Sequence, residues 1–343
     1  MASQPPGTKV TIASIAKDTG VSVPTVSKVL NGRPDVAAAT RARVEEALES
    51  AGYRRRQGRM PSGPPLIDLV FHELESAWSI QIIQGVEDAA ARVGAGVVLT
   101  GLGGRHRPPQ SWLDAALARR PLGVLFVLSS LDRAQRHQLS SRSIPFVVLD
   151  TEGEPPAGVP TVGSNNWNGG LMATRHLLGL GHRRVAVISG PDHMLCSRAR
   201  IDGYRSAHEA AGVPIDHDLV RYGNFYVNAG YEQGVDLLSR PDRPTAIFAG
   251  SDMQAHGVLR AARELNLRVP DDLSVVGYDN LPLTEWIGPA LTTVDQPLRA
   301  MAETATDMLV ALSRGEHPAS LQIDLATELV VRESTAPPPG LVR

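Results

Sequence analysis

Residues 10–32, VTIASIAKDTGVSVPTVSKVLNG, have the pattern of two short helices joined by a tight turn, and this pattern constrains the fold more than any other part of the chain. Apolar residues recur at helical spacing in each half: Ile12, Ile15 and Ala16, then Val26, Val29 and Leu30. Gly20 suits a helix end with a sharp turn, Ser22 an N-cap and Pro24 a first helical turn. The pattern predicts a helix-turn-helix, whose second helix typically lies in the major groove of DNA.

An ordinary helical hairpin is the alternative interpretation of these residues. The distribution of charge favours the DNA-binding interpretation. Residues 1–60 carry ten Lys and Arg against five Asp and Glu, a net charge of +5, whereas the remaining 283 residues carry −7 within a total of −2. A basic segment joined to an acidic body is typical of a module that binds a polyanion.

A third helix is predicted to follow the first two, because apolar residues again recur at helical spacing: Val44, Ala47, Leu48 and Ala51. Three helices predict a compact head over residues 8–53. Residues 54–65, RRRQGRMPSGPP, have the Arg, Pro and Gly content of a basic linker. We expect residues 336–343, which are rich in Pro and lack leucine heptads, to form a disordered tail rather than a coiled coil.

From residue 66 onward, strand-like apolar runs alternate with helical stretches. The predicted strands are residues 66–71, 96–100, 123–128, 146–150, 184–189, 246–249 and 273–278. The predicted helices between them are residues 79–93, 112–118, 170–180, 198–211, 229–238 and 253–265. Such alternation predicts parallel sheets covered by helices. Because residues 66–335 exceed the length of one usual sheet, we expect two lobes with a cleft between them.

Polar and aromatic side chains follow most of the predicted strands. They are residues 72–78, Asp150, Asn165, Asn166, residues 190–200, Ser251, Asp252, Asp279 and Asn280. Ligands of parallel α/β sheets bind at the carboxyl ends of the strands. The sequence therefore predicts a ligand-binding cleft at this end of both lobes.

Composition argues against several other classes of protein. The single cysteine, Cys196, permits no disulfide within the chain, and no apolar run approaches the ~20 residues of a membrane span. Because no signal-peptide segment precedes the head, we expect a cytoplasmic protein. The ten histidines show no metal-binding spacing, and no nucleophile–base pair or dinucleotide motif is present, so we expect no metal, no cofactor and no enzymatic activity.

Several motifs in this order resemble those of the LacI/GalR family of bacterial transcription regulators, over about residues 9–335. In the head they are T-I-x-x-I-A-x-x-x-G-V-S-x-x-T-V-S-x-V-L-N-G at 11–32 and T-R-x-R-V-x-x-A-L-x-x-x-G-Y at 40–53. In the core they are GHRRVAVI at 181–188, RIDGY at 200–204, PDDLSVVGYDN at 270–280 and LTTVDQP at 291–297. The resemblance implies an α/β fold, with an all-α helix-turn-helix head, a hinge and a two-lobed periplasmic-binding-protein-like core of two doubly wound parallel sheets.

The same resemblance implies that the chain crosses between the lobes three times, near Val162, Leu291 and Ser320. In the predicted effector-binding and dimerisation core, residues 66–335, these crossings define two lobes. Lobe one comprises residues 66–162 and 292–319, and lobe two comprises residues 163–291 and 320–335.

The resemblance also implies which residues contact DNA. The second helix would read bases with Val23 and Pro24, whose apolar side chains can only contact thymine methyl groups or close the groove. Lys28 is the expected base or phosphate donor. The candidates for phosphate contacts are Thr11, Ser22, Thr25, Ser27 and Asn31. Local helix capping is the alternative role for Thr11 and Ser22.

The linker departs from the family pattern, because it lacks the leucine that family members insert into the minor groove. Four arginines are the candidates to enter a narrow minor groove instead: Arg54, Arg55, Arg56 and Arg59. A solvated basic linker that only attracts phosphates is the alternative.

Sugar recognition needs aromatic faces and side chains that make paired hydrogen bonds to hydroxyl groups. Arg200 and Asp279 match the effector-contacting Arg and Asp of the family. The other effector candidates are Trp78, Asp150, Asn165, Asn166, Arg198, Phe225, Ser251, Asp252 and Gln296, with Trp167 and Trp286 as further aromatic surfaces. The alternatives are helix capping for Asp252 and Asp279, an ion pair between lobes for Arg200, and core positions for the tryptophans.

We therefore expect a homodimeric repressor of carbohydrate-use genes, which binds a palindromic operator in double-stranded DNA and responds to a mono- or oligosaccharide in the cleft. A regulator that requires a purine-type co-repressor is the first alternative. The second, from a different class, is a cytoplasmic sugar-binding protein without a DNA function.

Overall fold

The structure, a computed structural model, describes residues 11–30, 36–51, 53, 63–74 and 76–340. The head contains three helices, α1 (Ile12–Thr19), α2 (Val23–Leu30) and α3 (Ala38–Ser50). Their apolar faces meet in a small core built around Ile15, Val26 and Val44. The helices predicted from apolar spacing are thus all present, and their shared core orients α2 with its other face outward.

The rest of the described chain alternates strands with helices. The strands are β1 (Leu66–Phe71), β2 (Gly96–Gly101), β3 (Gly123–Val127), β4 (Phe146–Leu149), β5 (Thr161–Ser164), β6 (Val185–Ser189), β7 (Val220–Tyr222), β8 (Ala246–Ala249), β9 (Ser274–Asp279), β10 (Thr292–Asp295), β11 (Gln322–Leu325) and β12 (Glu328–Val330). The helices are α4 (Ala77–Arg92), α5 (Gln110–Arg119), α6 (Arg133–Ser140), α7 (Asn166–Gly179), α8 (Leu195–Ala210), α9 (Val227–Leu238), α10 (Asp252–Glu264), α11 (Leu283–Trp286) and α12 (Leu298–Ser313).

Two six-stranded sheets define the two lobes. The sheet of lobe one has the order β11-β5-β4-β3-β1-β2 and is parallel throughout. The sheet of lobe two has the order β12-β10-β9-β8-β6-β7, and its edge strand β12 pairs antiparallel with β10. The central strands of both sheets are fully buried apolar runs, as expected where helices cover both faces of a sheet.

The sheets place the crossings between lobes later in the chain than predicted. β5 lies wholly in the sheet of lobe one, β10 pairs with β9 in lobe two, and β11 pairs with β5 in lobe one. The crossings therefore fall at Asn165, Gln296 and residues 326–327 rather than near Val162, Leu291 and Ser320. Residues 163–164 and 320–325 belong to lobe one and residues 292–295 to lobe two, because hydrogen bonding within each sheet decides the boundary.

Several elements were not predicted. β5, β7, β10, β11 and β12 are only three or four residues long, too short for a periodic pattern to be detected. The long helix α12 was also missed, although Met301, Ala305 and Met308 lie on its buried face at helical spacing. α12 packs against α4 and the sheet of lobe one, so it completes that lobe after the second crossing.

The tail begins later than predicted. Ala336 is held against lobe two, because its backbone oxygen accepts hydrogen bonds from His182 Nε2 at 2.9 Å and Ser274 Oγ at 3.0 Å. Its backbone N–H in turn donates to Ser274 Oγ at 3.0 Å. The start of the predicted disordered segment is therefore ordered, and residues 341–343 lie outside the described residues.

Candidate functional site

Helix capping fixes the geometry of the helix-turn-helix. Thr11 and Ser14 form a reciprocal capping box at the start of α1, and Gly20 ends that helix at φ 66°. Ser22 Oγ accepts a hydrogen bond from Thr25 N at 3.3 Å and lies 2.8 Å from Thr25 Oγ1. Thr11 and Ser22 thus have the capping role that the sequence left as an alternative.

The outward face of α2 carries the residues predicted to contact bases. Val23, Pro24 and Lys28 are exposed, with 46% of Val23 accessible, whereas Val26 and Val29 are buried in the head. Ser27 and Thr25 lie partly exposed beside them. The remaining predicted DNA contacts, Asn31, Arg54, Arg55, Arg56 and Arg59, lie outside the described residues.

Both sheets direct the carboxyl ends of their strands to the space between the lobes. Asp150 follows β4 in lobe one, and in lobe two Ser251 follows β8 and Asp279 ends β9. Arg200 projects from α8, which follows β6, and Gln296 lies at the second crossing. The sequence-predicted positions are therefore gathered from five chain segments.

Arg200 is the centre of this polar cluster. Its side chain is only 3% exposed, and its guanidinium lies over the ring of Tyr278 at 3.6 Å from the centroid. Nε donates to Asn166 Oδ1 at 2.9 Å, Nη1 to the Gly250 carbonyl oxygen, and Nη2 to Gln296 Oε1 at 3.4 Å. All three partners are neutral oxygens. Among the described residues, Arg200 therefore makes no direct ion pair between the lobes, which was the alternative role predicted for it.

Gln296 links the cation to the crossing between lobes. It is 1% exposed, and its Oε1 also accepts a hydrogen bond from Trp78 Nε1 at 3.4 Å. Its Nε2 donates to Ser164 Oγ at 3.0 Å, at the end of β5. Trp78, which extends from lobe one, is therefore joined through one amide to Arg200 of lobe two.

Two carboxyl groups of the cluster are buried near Arg200. Burial raises the pKa of Asp150, although the charge of Arg200 and a hydrogen bond from Gln296 act in the opposite direction. Burial likewise raises the pKa of Asp279 well above its ordinary value, against the effect of Arg200. Buried ionisable groups with shifted pKa values cluster at functional sites, so this arrangement favours a ligand-binding role.

Other predicted residues have structural partners. Asn165 caps α7 by accepting from Asn168 N at 3.0 Å, and Ser251 caps α10 by accepting from Gln254 N at 3.0 Å. Asp252 does not cap a helix. Its two oxygens accept hydrogen bonds from Leu281 N at 2.7 Å and Thr293 Oγ1 at 2.6 Å. Asp252 therefore connects α10 to the loop after β9 and to strand β10.

The aromatic candidates lie in different surroundings. The backbone of Phe225 has a positive φ of 64°, and its ring packs against Gly190. The centroid of this ring lies 5.3 Å from the Arg200 guanidinium. Trp167 is 43% exposed at the start of α7, and Trp286 is 79% exposed on α11. Neither of these two occupies the core position that was their alternative.

Arg198 is not brought into the cluster. It is exposed on α8, two residues before Arg200, and side chains at this spacing point to different sides of a helix. Two residues at this site were not predicted from the sequence. The ring of Tyr278 lies against the Arg200 guanidinium, and the Tyr226 hydroxyl donates to Glu73 Oε2 at 2.7 Å between the lobes. Tyr278 ends a buried apolar run, so its sequence signal was that of a core residue.

A cavity of about 300 Å³ opens beside the cluster. Its lining includes Asp150, Asn165, Asn166, Trp167, Cys196 and Asp324. This volume is at the lower end of the range for small-molecule sites. No helix among the described residues is long and apolar enough to cross a membrane.

A helix-turn-helix head joined to a two-lobed core with a buried polar cluster defines a class of protein: regulators that couple DNA binding to a ligand-binding core. Residues 11–56 match the bacterial regulatory proteins of the lacI family, and residues 174–335 match the periplasmic binding protein-like domain. The chain belongs to the lacI family and is a DNA-binding transcriptional regulator. The predicted family and fold class are thereby confirmed.

Similar proteins cover nearly the whole chain. The HTH-type transcriptional regulator DegA of Bacillus subtilis (strain 168) is 31% identical over 335 residues, which is 96% of this chain and 99% of DegA. The structure of the transcriptional regulator CelR–cellobiose complex is 33% identical with a TM-score of 0.69, covering 95% of this chain and 99% of that one. The Lac repressor dimer bound to operator and the anti-inducer ONPF is 27% identical with a TM-score of 0.69, covering 96% of this chain and all of that one.

Proposed function

We propose that this regulator is a repressor whose effector is a small sugar, held by the cluster around Arg200. The observation that carries this proposal is a buried guanidinium flanked by Asp150 and Asp279 without a direct ion pair among the described residues. A fixed fork of donors beside carboxylate acceptors matches the alternating donors and acceptors of vicinal hydroxyl groups. The cellobiose complex of the similar regulator CelR supports the same ligand class.

The aromatic rings beside the cluster support a sugar as well. Trp78 reaches the cluster from lobe one, and Phe225 lies near Arg200 in lobe two. Aromatic faces pack against the C–H surfaces of a sugar ring, while amides such as Asn166 and Gln296 bind its hydroxyl groups. Asp150, Asn165, Ser251, Asp252 and Asp279 contribute acceptors or position these groups in our proposal.

For DNA binding, we propose that the chain acts as a homodimer in the cytoplasm, where bacterial operators are found, and that two heads bind the half-sites of a palindromic operator. The Lac repressor dimer bound to its operator supports this arrangement. Val23, Pro24 and Lys28 would face base edges, and Thr11, Ser22, Thr25 and Ser27 would lie near phosphates. The activity is regulation rather than catalysis.

Coupling between the two sites would pass through the crossings. Gln296 lies where the chain passes from β10 to α12, and it contacts both Arg200 and Trp78. A ligand that replaces either contact would change the geometry of this crossing and the angle between the lobes. The resulting change in operator affinity equals the effector's preference for one lobe arrangement, typically about 1–3 kcal/mol.

A calorimetric titration with a panel of mono- and disaccharides tests the effector class, with operator affinity measured by fluorescence anisotropy in the presence and absence of each sugar. Arg200→Lys keeps the charge but removes the planar fork, so we expect at least a tenfold loss of sugar affinity. Arg205→Lys, an exposed change on the same helix, is the matched control. Equal sugar affinity in the two variants would contradict the proposal.

A further inference from the structure

Three histidines and a glutamate gather at the edge of the space between the lobes. His106 lies in the loop after β2 and Glu152 in the loop after β4, both in lobe one. His193 lies in lobe two, in the loop between β6 and α8. His72, directly after β1, stacks on His106 with ring centroids 3.9 Å apart and an interplanar angle of 8°. These loops follow the carboxyl ends of strands, so the cluster belongs to the same end of the sheets as the Arg200 site.

The ligand atoms of three of these residues lie close to one another. His106 Nδ1 lies 3.2 Å from Glu152 Oε2, and His193 Nε2 lies 3.8 Å from Glu152 Oε1. One ligand atom from each of the three residues lies within 4.8 Å of the others. Bonds of about 2.0–2.1 Å to zinc in a tetrahedral site separate ligand atoms by about 3.3–3.4 Å. Small side-chain rotations would therefore bring all three onto one ion.

One buried polar atom beside this cluster has no partner in the part of the chain that the structure describes. His72 Nδ1 is buried and has no hydrogen-bond partner among the described residues. A buried polar atom without a partner carries a cost, and such atoms are exceptions that require a reason.

We propose that His106, Glu152 and His193 bind a divalent transition-metal ion of the zinc class, and that this ion joins lobe one to lobe two. Two imidazoles and one carboxylate suit zinc better than magnesium or calcium, which prefer oxygen ligands. Asp192 Oδ1 lies 3.8 Å from His193 Nδ1, beyond hydrogen-bond distance. The spacing of histidines in the sequence predicted no metal, because these ligands come from three separate loops.

The consequence is a second input to the regulator. An ion with ligands on both lobes binds best when the lobes are close together, so it favours that arrangement. By linkage, it would change the affinity for any ligand that prefers the same or the opposite arrangement. His106, Glu152 and His193 are not part of the Arg200 cluster, so ion binding and sugar binding can be measured independently.

The test is a titration of the full-length, untagged and metal-stripped protein with Zn²⁺, followed by calorimetry and by the melting temperature. We expect one ion per chain, a melting temperature that rises with Zn²⁺, and no comparable effect of Mg²⁺. His106→Asn and His193→Asn should each weaken Zn²⁺ binding at least tenfold. His256→Asn, an exposed change on α10, is the matched control and should bind as the parent protein does.

Spectroscopy of the cobalt-substituted protein locates the ligands. Co²⁺ should produce visible absorption bands typical of a four-coordinate nitrogen–oxygen site, and these should disappear in His193→Asn. Because His193 is 57% exposed at its side chain, this variant should fold even if His106→Asn does not. Absence of stoichiometric Zn²⁺ binding, or equal binding by His193→Asn and His256→Asn, would overturn the proposal.

Discussion

At the scale of single residues, two of the buried charged residues, Asp68 and Arg200, differ in their hydrogen-bond partners. Asp68, fully buried in β1, accepts two hydrogen bonds from Arg119, at 3.2 Å from Nε and 2.6 Å from Nη2. Arg200 instead donates to amide and carbonyl oxygens. The Arg119 pair satisfies both oxygens of Asp68 by direct charge neutralisation, whereas Arg200 faces carboxyl groups whose pKa values are raised by burial. The first arrangement serves stability and the second suits binding.

Replacing Asp68 tests whether its pair with Arg119 stabilises the fold. Asp68→Ala leaves the Arg119 guanidinium without its partner, and we expect a loss of about 3 kcal/mol in the free energy of unfolding, measured by urea denaturation. Asp202→Ala removes an exposed pair with Arg205 and should cost less than about 1 kcal/mol. If Asp68→Ala costs no more than Asp202→Ala, the buried pair does not stabilise lobe one.

At the scale of elements, the contact between α7 and α8 holds the cluster around Arg200 together. Gly170 of α7 and Gly203 of α8 lie at the crossing, where the helix backbones approach too closely for a side chain. A Cβ on Gly203 would overlap the Trp167 carbonyl oxygen and lie 2.6 Å from Leu171 N. Because α7 carries Asn166 and α8 carries Arg200, the separation of these helices sets the distance between two residues of the proposed sugar site.

Gly203→Ala should therefore affect both stability and binding. We expect a loss of about 1–3 kcal/mol in the free energy of unfolding, as in overpacked cores, together with weaker sugar binding by calorimetry. Gly179→Ala, at the exposed end of α7 where no atom lies within 4 Å of the new Cβ, should instead add about 0.5–1 kcal/mol. Similar stability of the two variants would show that the close crossing is not required.

The head has its own apolar core and contacts lobe one where Arg142 Nε donates to the Leu30 carbonyl oxygen at 3.0 Å, and we expect its exposed helix α2 to bind DNA. Lys28→Ala removes a cation from the outward face of α2, so operator affinity should fall and the slope of log affinity against log salt should decrease by about 1. Fluorescence anisotropy at several salt concentrations measures both quantities. Sugar affinity should remain unchanged.

Arg260→Ala, an exposed change on α10 of lobe two, is the control for loss of one positive charge. It should leave operator affinity and its salt dependence as they are. If Lys28→Ala abolished sugar binding, or if both variants lost operator affinity equally, the prediction that α2 binds DNA independently of the sugar site would be wrong.

At the scale of the whole molecule, buried carboxyl groups make stability depend on pH. Burial raises the pKa of Asp252 to about 7 from an ordinary value of 3.8, despite the hydrogen bonds it accepts. Between these values the folded protein retains a proton that the unfolded chain has released. The free energy of unfolding should therefore fall as pH rises from about 4 to about 7, by up to about 1.4 kcal/mol per pH unit from this group.

Asp252→Asn should remove this contribution. Urea denaturation at pH 5 and pH 7 should show a smaller loss of stability at the higher pH in the variant than in the parent protein. Burial lowers the pKa of His176 and His182, so the folded protein resists their protonation. The free energy of unfolding therefore falls from these two groups as pH falls, which is opposite to the effect of Asp252. Since both proteins contain these histidines, the comparison reports Asp252 together with its effect on Asp279, whose pKa the charge of Asp252 also raises. If the free energy of unfolding fell less from pH 5 to pH 7 in the parent protein than in Asp252→Asn, the raised pKa of Asp252 would be wrong.

Much of this architecture follows from local patterns. The helices of the head, the strands β1 and β8 at their predicted bounds, and the alternation of strand and helix all follow from periodicity that a single segment carries. Asp150 was predicted because polar residues after parallel strands converge, whereas Arg200 and Asp279 were predicted also because they match the effector-contacting residues of the family. Tyr278 was missed because a buried aromatic residue has the same local pattern whether it supports a ligand-binding cation or only fills a core.

The sequence by itself determined the head, its charge, the class of fold and the family, because these depend on residues that lie near one another in the chain. Only the tertiary structure decided the crossings at Asn165 and Gln296, the partners of Arg200, and the meeting of His106, Glu152 and His193. Each of these depends on segments far apart in sequence, and the distances between such segments are set by how the sheets and helices pack. Spacing along the chain contains no direct measure of that packing.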